Sequence, residues 1–314
     1  MITITRAPPY LSVQDAGRRH SRTFGVPRGG AMDLFALEAL NSIVGNPRDC
    51  AALEWALSGG SLKFETDCAF AIGGSHARAT LAGNDVPPFT TVYAAAGEEL
   101  EIGHINRGRF LYVACAGGID VPPVLGSRST YLPGLFGGYE GRMIARGDSL
   151  PLGKRPSRVP AAGFTCPAEL LPGYASSVVR VTAGPHAELF DNASWSAFTE
   201  TEFVVSHASD RTGYKLRGHP LSHTIGSLPS DAGCQGAIQI PGEGTPIVLM
   251  ADAPTVGGYP KIAVVSETDM PILAQRSPGE SVRFELITIE QSQRALKRRA
   301  ADQRTIRSLG AASA

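Results

Sequence analysis

The residues best equipped for chemistry fall in two stretches. From Gly236 to Val265 the run GAIQIPGEGTPIVLMADAPTVGGYPKIAVV delivers Asp252, Thr255, Gly257, Gly258, Tyr259 and Lys261 in close succession. Paired glycines let backbone N–H groups approach a carbonyl oxygen, an arrangement that stabilises negative charge developing in acyl or carboxyl transfer. Pro260 forces Tyr259 extended and so fixes the direction of its ring. Lys261 is then the nearest fixed cation. The plainer reading of the same residues is a tight hairpin with one exposed lysine. The second stretch, SDRTGYKLRG from Ser209 to Gly218, gathers an acid, a guanidinium, a phenol and an amine around one glycine. Neighbours on a strand point to opposite faces, so Asp210 separates from Arg211 and Tyr214 from Lys215. The inward members either line a cleft or form a buried network that fixes geometry.

Two further groups lie upstream. SVQDAGRRHSRTFGVPRGGAMD combines Gln14, Asp15 and Arg18 with glycines that allow a ligand close to the backbone; as pure structure, Asp15 and Arg18 make a turn with a local ion pair of modest worth. LGSRSTYLPG sets Arg128 between two hydroxyls, a clamp for carboxylate or carbonyl oxygens, or, with Ser127, a tie for an irregular loop. The chain has no G-x-x-x-x-G-K-[ST], no G-x-G-x-x-G opening a helix, no H-E-x-x-H and no G-x-S-x-G. Phosphate-loop, dinucleotide, zincin and hydrolase-elbow chemistries are disfavoured accordingly. Five cysteines and seven histidines show no metal-ligand spacing, and no metal is expected.

The elements that position these residues follow from composition. At 314 residues the chain exceeds the usual size of a single core, so two lobes are expected. Charged residues are 18%, with 29 basic against 29 acidic. That balance draws the surface toward neither nucleic acid nor anionic lipid and leaves a small molecule or a protein as partner. No stretch approaches the roughly 20 apolar residues that cross a bilayer, MITITRAPPY lacks the pattern of a signal peptide, and the scattered cysteines read as reduced; the expectation is a cytoplasmic protein away from membranes.

Thirty-six Gly and 23 Pro in a chain that is 43% hydrophobic mean frequent turns. ALEWALSG, SLKFET, CAFAIGGS, ARATLAG and TTVYAAAG read as successive antiparallel strands. GEELEIG at Gly97, GDSLPLG at Gly147 and PGESVRFELI at Pro278 each place a glycine and an acid before alternating apolar residues, the acid remaining in solvent. A helix is predicted from the N-cap Asp33 to Gly45-Asn46. HAELFDNASWSAF is a weaker helix broken near Asn192, and a basic helix opens at Thr288 with a capping-box spacing to Gln291. Its thin apolar face suits fraying or docking on a partner. The fold class is mainly β, a β-rich α+β chain with few short helices. The Pro-rich Gly153–Tyr174 segment marks the junction: 1–160 a first β-rich lobe, 161–288 a second, and 289–314 a basic helical tail.

In order along the chain, VQDAGRRH, FGVP, GAMD, NSIVGN, ALEWAL, GGIDVPPVLGSRSTYLPGLFGG, GDSL, SDRTGYKL, GAIQIP, DAPTVGGYPKIA and LAQRSPGESVRF carry a resemblance from about Val13 to Phe284. They resemble the family that holds the C subunits of 5-oxoprolinases, allophanate hydrolase subunit 2 proteins, the antagonist of a sporulation-kinase inhibitor, and the carboxyltransferase region of urea carboxylase. The resemblance implies cyclophilin-like β-barrel character and a B-type partner subunit, with the active cleft between the two. In bacterial 5-oxoprolinases it also implies an A-type partner subunit. It further implies one of three roles, two of them acting on a small amide or urea. The first is ATP-dependent opening of 5-oxo-L-proline to L-glutamate, with ATP held by or shared with a partner. The second is carboxyl transfer from biotin carried on another protein. The third is non-catalytic sequestration of a kinase-inhibitor protein. Carried over position by position, Asp210, Tyr214, Tyr259 and Lys261 are the implied catalytic residues. Gln14, Asp15, Arg128, Arg211, Gln239, Asp252, Thr255, Gly257 and Gly258 are the implied substrate-binding ones. Ala253 and Pro254 stand where many relatives carry a basic residue and then Gln.

Overall fold

The structure, a computed structural model, describes residues 1–225 and 228–314. The chain divides into two compact units: 1–19, 29–171 and 301–314 in the first, 20–28 and 172–300 in the second. The division comes later than the predicted junction because the 161–171 segment is tied to the first unit. Thr91 N–H donates to the Phe164 carbonyl at 2.8 Å, Gly163 N–H to Thr91 at 2.9 Å and Cys166 N–H to Phe89 at 2.9 Å. The helical tail is not a separate body either, since its last turns, from Ala301, count with the first unit.

The first unit contains β1 (Ile2–Arg6), β2 (Tyr10–Gln14), β3 (Ala52–Ala56), β4 (Gly60–Phe64), β5 (Cys68–Leu81), β6 (Asn84–Asp85), β7 (Val92–Ala94), β8 (Glu99–Cys115) and β9 (Ser149–Leu150). They form one nine-stranded sheet with the path β2-β3-β8-β4-β1-β9, and β5 pairs with β6, β7 and β8. Its core is apolar: Trp55, Phe64, Phe70, Leu62 and Val113 are buried on one side of the sheet. CAFAIGGS and ARATLAG, predicted as two strands, are the single β5. Its paired glycines are needed for packing rather than for a turn, because a Cβ on Gly73 would lie 2.8 Å from the Phe89 ring, and the register slips between Gly74 and His76.

The second unit is a closed seven-stranded barrel. In barrel order its strands are β10 (Val178–Ala183), β17 (Lys261–Val265), β14 (Ala237–Gln239), β15 (Ile247–Leu249), β12 (Gly213–Arg217), β11 (Phe203–Val205) and β18 (Ser281–Leu286). The parallel β10–β18 pairing closes the ring. Phe198 and Phe284 stack inside this unit with ring centroids 4.7 Å apart. A separate two-stranded ribbon joins β13 (Asp231–Ala232) to β16 (Val256–Gly257).

Helix α1 (Leu34–Ile43) starts where predicted, the Asp33 carboxylate accepting the Ala36 N–H, and Gly45 follows its end with φ 79°. Helix α2 (Asn192–Glu200) begins rather than breaks near Asn192, because Asp191 caps it by accepting the Ser194 N–H at 2.8 Å. A short apolar helix α3 (Met270–Ala274) follows β17, and α4 (Ile289–Ala312) carries the capping box: Thr288 N–H donates to Gln291 Oε1 at 2.7 Å and Gln291 N–H to Thr288 Oγ1 at 3.2 Å. Among the described residues no helix is long and apolar enough to cross a membrane.

The recurrent Gly–acid motif is a single device used three times. Gly97, Gly147 and Gly279 have φ of 92°, 91° and 92°. The following N–H of Glu98, Asp148 and Glu280 closes a turn onto the carbonyl of Ala95, Ala145 and Ser277 at 3.1, 3.2 and 3.0 Å. The acids do not simply remain in solvent, as predicted. Each carboxylate reaches back to accept the N–H of that first turn residue, at 2.8, 2.8 and 2.6 Å. Arg142 fastens Asp148 in addition, and its guanidinium holds that carboxyl below the usual range.

Candidate active site

Lys261 is the first residue of β17 and faces Gln239 of β14 across the antiparallel pair. The register slips between Ile238 and Gln239, so the two residues are backbone partners at a bulge in the β14–β17 ladder. Lys261 is only 2% exposed, which removes the exposed-lysine reading of this loop. Its Nζ donates to Asp231 Oδ2 at 3.1 Å, while the Asp231 side chain is 53% exposed. That hydrogen bond, the Ala232 N–H and the lysine charge hold the Asp231 carboxyl below the usual carboxylate range. Asp231 is also the register partner of Gly257 in the β13–β16 ribbon. Gly257 in turn presses on Gln239: a Cβ there would lie 2.8 Å from the Gln239 amide nitrogen, and one on Gly258 would lie 3.0 Å from the Leu228 carbonyl oxygen. Neither glycine has the left-handed backbone, so both serve close approach. Lys261, Gln239, Gly257 and Asp231 thus form one polar cluster at the barrel.

The backbone of Lys261 is held as firmly as its side chain. Its N–H donates to His186 Nδ1 at 3.2 Å, and its carbonyl accepts the His186 N–H at 3.3 Å. Since Nδ1 accepts, the imidazole proton resides on Nε2. Gly184 makes this approach feasible, because a Cβ there would stand 2.3 Å from the Lys261 carbonyl oxygen.

The second predicted stretch is split as the alternation requires. Arg211 is buried and clamps Asp252 through two parallel bonds, Nε to Oδ2 at 2.8 Å and Nη2 to Oδ1 at 3.0 Å. The Asp252 N–H returns to the Arg211 carbonyl at 2.9 Å. This doubly tied pair fixes the start of the segment that ends in β16. Farther along it, the Thr255 carbonyl accepts from Gly233 N–H at 2.9 Å and Arg22 Nη2 at 3.4 Å. Asp210 is exposed and closes its own turn by accepting the N–H groups of Thr212 and Gly213 at 2.7 and 3.2 Å. Tyr214 is a core residue: it is fully buried and its hydroxyl donates to the Ala274 carbonyl at 2.8 Å, so the phenol is occupied away from the lysine cluster. Tyr259 is half exposed.

In the first unit the predicted residues serve one loop. Asp15 is buried and accepts four hydrogen bonds, from Gly17 N–H at 2.8 Å, Ser127 Oγ at 2.6 Å, Ser129 Oγ at 2.5 Å and Arg128 N–H at 2.5 Å. The partner of Asp15 is therefore the 127–129 loop, not Arg18, which is also buried, donates to the Ser129 carbonyl and lies over the Phe136 ring. The Arg128 guanidinium pairs with Asp120 at 2.9 Å on the surface. Gln14 donates through Nε2 to Ser12 Oγ at 2.9 Å and to the Thr130 carbonyl at 3.3 Å.

Sequence reasoning missed Asp231 and His186. Asp231 lies in SLPSDAG, where nothing but one acid marks it; His186 follows Gly184-Pro185, and that glycine was the available signal. Among the described residues no group of three or more His, Cys, Asp or Glu could hold a metal ion, and all five cysteines are free thiols.

Comparison with known proteins gives the geometry its context. The chain is 41% identical over 306 residues to the 5-oxoprolinase C subunit of Escherichia coli, covering 97% of this chain and 96% of that one. The Haemophilus influenzae protein of the same name is 32% identical, covering 93% of each chain. The solved urea amidolyase of Kluyveromyces lactis superposes with a TM-score of 0.91 at 29% identity over 97% of this chain, which spans only 20% of that much longer protein. The model of the carboxyltransferase domain, subdomain A and B, matches residues 24–286. On these grounds the chain belongs to the carboxyltransferase-domain family that includes the C subunit of 5-oxoprolinase.

Proposed function

We propose that the chain is the C subunit of an ATP-dependent 5-oxoprolinase, a cytoplasmic complex with A-type and B-type partners that opens 5-oxo-L-proline to L-glutamate. The observation that carries the reading is the match to the 5-oxoprolinase C subunit of E. coli, at 41% identity over nearly the full length of both chains. The lysine cluster supplies the matching chemistry. A lactam is an unreactive amide, and its ring opens readily only if negative charge gathering on its oxygen is stabilised. Lys261, buried and held at both its backbone and its ammonium, is the donor positioned for that oxygen, with the Gln239 amide beside it. Arg211 and Asp252 are positioning residues that fix the segment leading to Gly257. ATP would supply a phosphoryl group to the lactam oxygen with release of ADP, which makes the ring carbonyl carbon the electrophile for water; the C–N bond then breaks and phosphate leaves. The sequence has no phosphate loop of its own, so the nucleotide is assigned to a partner or a shared surface.

The test is release of glutamate from 5-oxo-L-proline by the chain assembled with its partners. We expect ATP-dependent release by the wild type and its loss in Lys261→Met. Tight partner binding with no release in any combination would instead favour the regulatory role, for which Ala253 and Pro254 speak. The second enzymatic reading, carboxyl transfer from biotin to urea, rests on the 0.91 TM-score to K. lactis urea amidolyase. Carboxybiotin decay on addition of urea would select it.

A further inference from the structure

The Lys261 ammonium carries three N–H donors, yet among the described residues it gives one, to Asp231. A cation this deeply buried needs compensation from its surroundings. The compensating carboxylate comes from an exposed residue on the smallest sheet of the fold, where β13 and β16 share two register pairs, Asp231 with Gly257 and Ala232 with Val256. Ribbons of this size have little stability of their own. The cation is therefore anchored in the barrel, while its counter-ion sits on a separate two-stranded ribbon. Gln239 lies directly across from Lys261, with Gly257 of the same ribbon against its amide.

We propose that Asp231 is a displaceable stand-in for the carboxylate of the ligand: a small monoanion exchanges with it on Lys261, and the β13–β16 ribbon moves aside as a latch. One monoanion replaces another, so the buried charge stays compensated throughout. No covalent bond changes. Freed from the ribbon, the Lys261 ammonium turns one of its three donors to the carboxylate in place of Asp231 and keeps another for the lactam oxygen, while Gln239 takes the neighbouring amide N–H. The site therefore selects compact molecules that carry both functions, as 5-oxoproline does, over neutral amides or ureas. The proposal rests on the reading of Lys261 as part of the ligand site and deepens it.

The experiment uses the full chain and two probes of one ring, 5-oxo-L-proline and 2-pyrrolidinone, which lacks the carboxylate. Binding is measured by calorimetry, and the Lys261 Cε–Nζ resonance is followed by NMR, assigned with Lys261→Met. Removing a half-exposed competitor of the strength of a surface ion pair should have a modest effect. Asp231→Asn is expected to tighten 5-oxo-L-proline about fivefold, to leave 2-pyrrolidinone unchanged, and to shift the Lys261 resonance. Weaker binding of both compounds would make Asp231 a ligand-positioning residue and overturn the latch, as would unchanged binding of both. If neither protein binds either compound, the chain without its partners holds no complete 5-oxoproline site, and acetate then tests the latch alone. Acetate should move the Lys261 resonance at lower concentration in Asp231→Asn than in the wild type; equal response would end the proposal.

Discussion

Asp15 in the first unit and Lys261 in the second are both buried ionisable groups, but their surroundings treat them oppositely. Both carboxylate oxygens of Asp15 are engaged, Oδ1 by three hydrogen bonds and Oδ2 by one, all from its own turn and the 127–129 loop. Lys261 has three donors, one of which is used among the described residues, on an exposed partner. The comparison teaches that burial alone does not mark a functional charge. A saturated charge organises the chain around it, whereas an under-coordinated one has capacity left for a ligand.

The contrast fails if the two charges respond alike to removal. The largest effect on stability is expected at the saturated groups. Asp252→Ala removes the two-point acceptor of the buried Arg211 guanidinium and should cost about 3–5 kcal/mol in urea unfolding. Asp15→Ala leaves several buried donors without acceptors and should cost about 3 kcal/mol. Lys261→Met keeps the stem and removes the charge, so stability should change by less than about 1 kcal/mol. Glutamate release by the assembled complex should nevertheless drop roughly 100- to 1,000-fold, the scale set by loss of one donor to a developing oxyanion. A Lys261→Met protein as unstable as Asp252→Ala would make the lysine another scaffold charge and erase the distinction.

How much of this was legible beforehand depends on the range over which each device acts. Local devices read directly: the Asp33 cap, the Thr288–Gln291 capping box and the turn-strand alternation all act within a few residues. The lysine was found because Gly-Gly, Tyr and Pro surround it in sequence, but its counter-ion Asp231 lies 30 positions away, and only the β13–β16 register brings it close. Arg211 and Asp252 were both singled out, yet their pairing across 41 positions needs the barrel. Between the cleft and the buried network left open for Tyr214, sequence could not choose: alternation places it inward, and inward in a closed barrel means the core as often as a cleft. Asp15 and Arg18, neighbours in sequence, looked like an ion pair because the loop that actually engages Asp15 is 112–114 positions distant.

The smallest effects test whether the two units share anything beyond the chain. Gly97 and Gly147 belong to the first and Gly279 to the second, yet their turns have φ within one degree of each other and the same carboxylate return. A Cβ added at any of the three would meet nothing within 4 Å. Substitution by alanine therefore measures the left-handed backbone alone, about 1–2 kcal/mol, with no packing contribution to separate the sites. All three should lose the same amount within a few tenths of a kcal/mol. The carboxylates come apart more subtly. Glu98→Gln and Glu280→Gln keep an acceptor oxygen and should cost only about 0.5 kcal/mol, the low end for one hydrogen bond. Asp148→Asn should cost more, because Arg142 Nη1 and Nη2 reach both of its oxygens at 2.6 and 3.0 Å. Equal losses at the three acids would mean that the arginine contributes nothing, and unequal losses at the three glycines would mean that the turn is not one device but three.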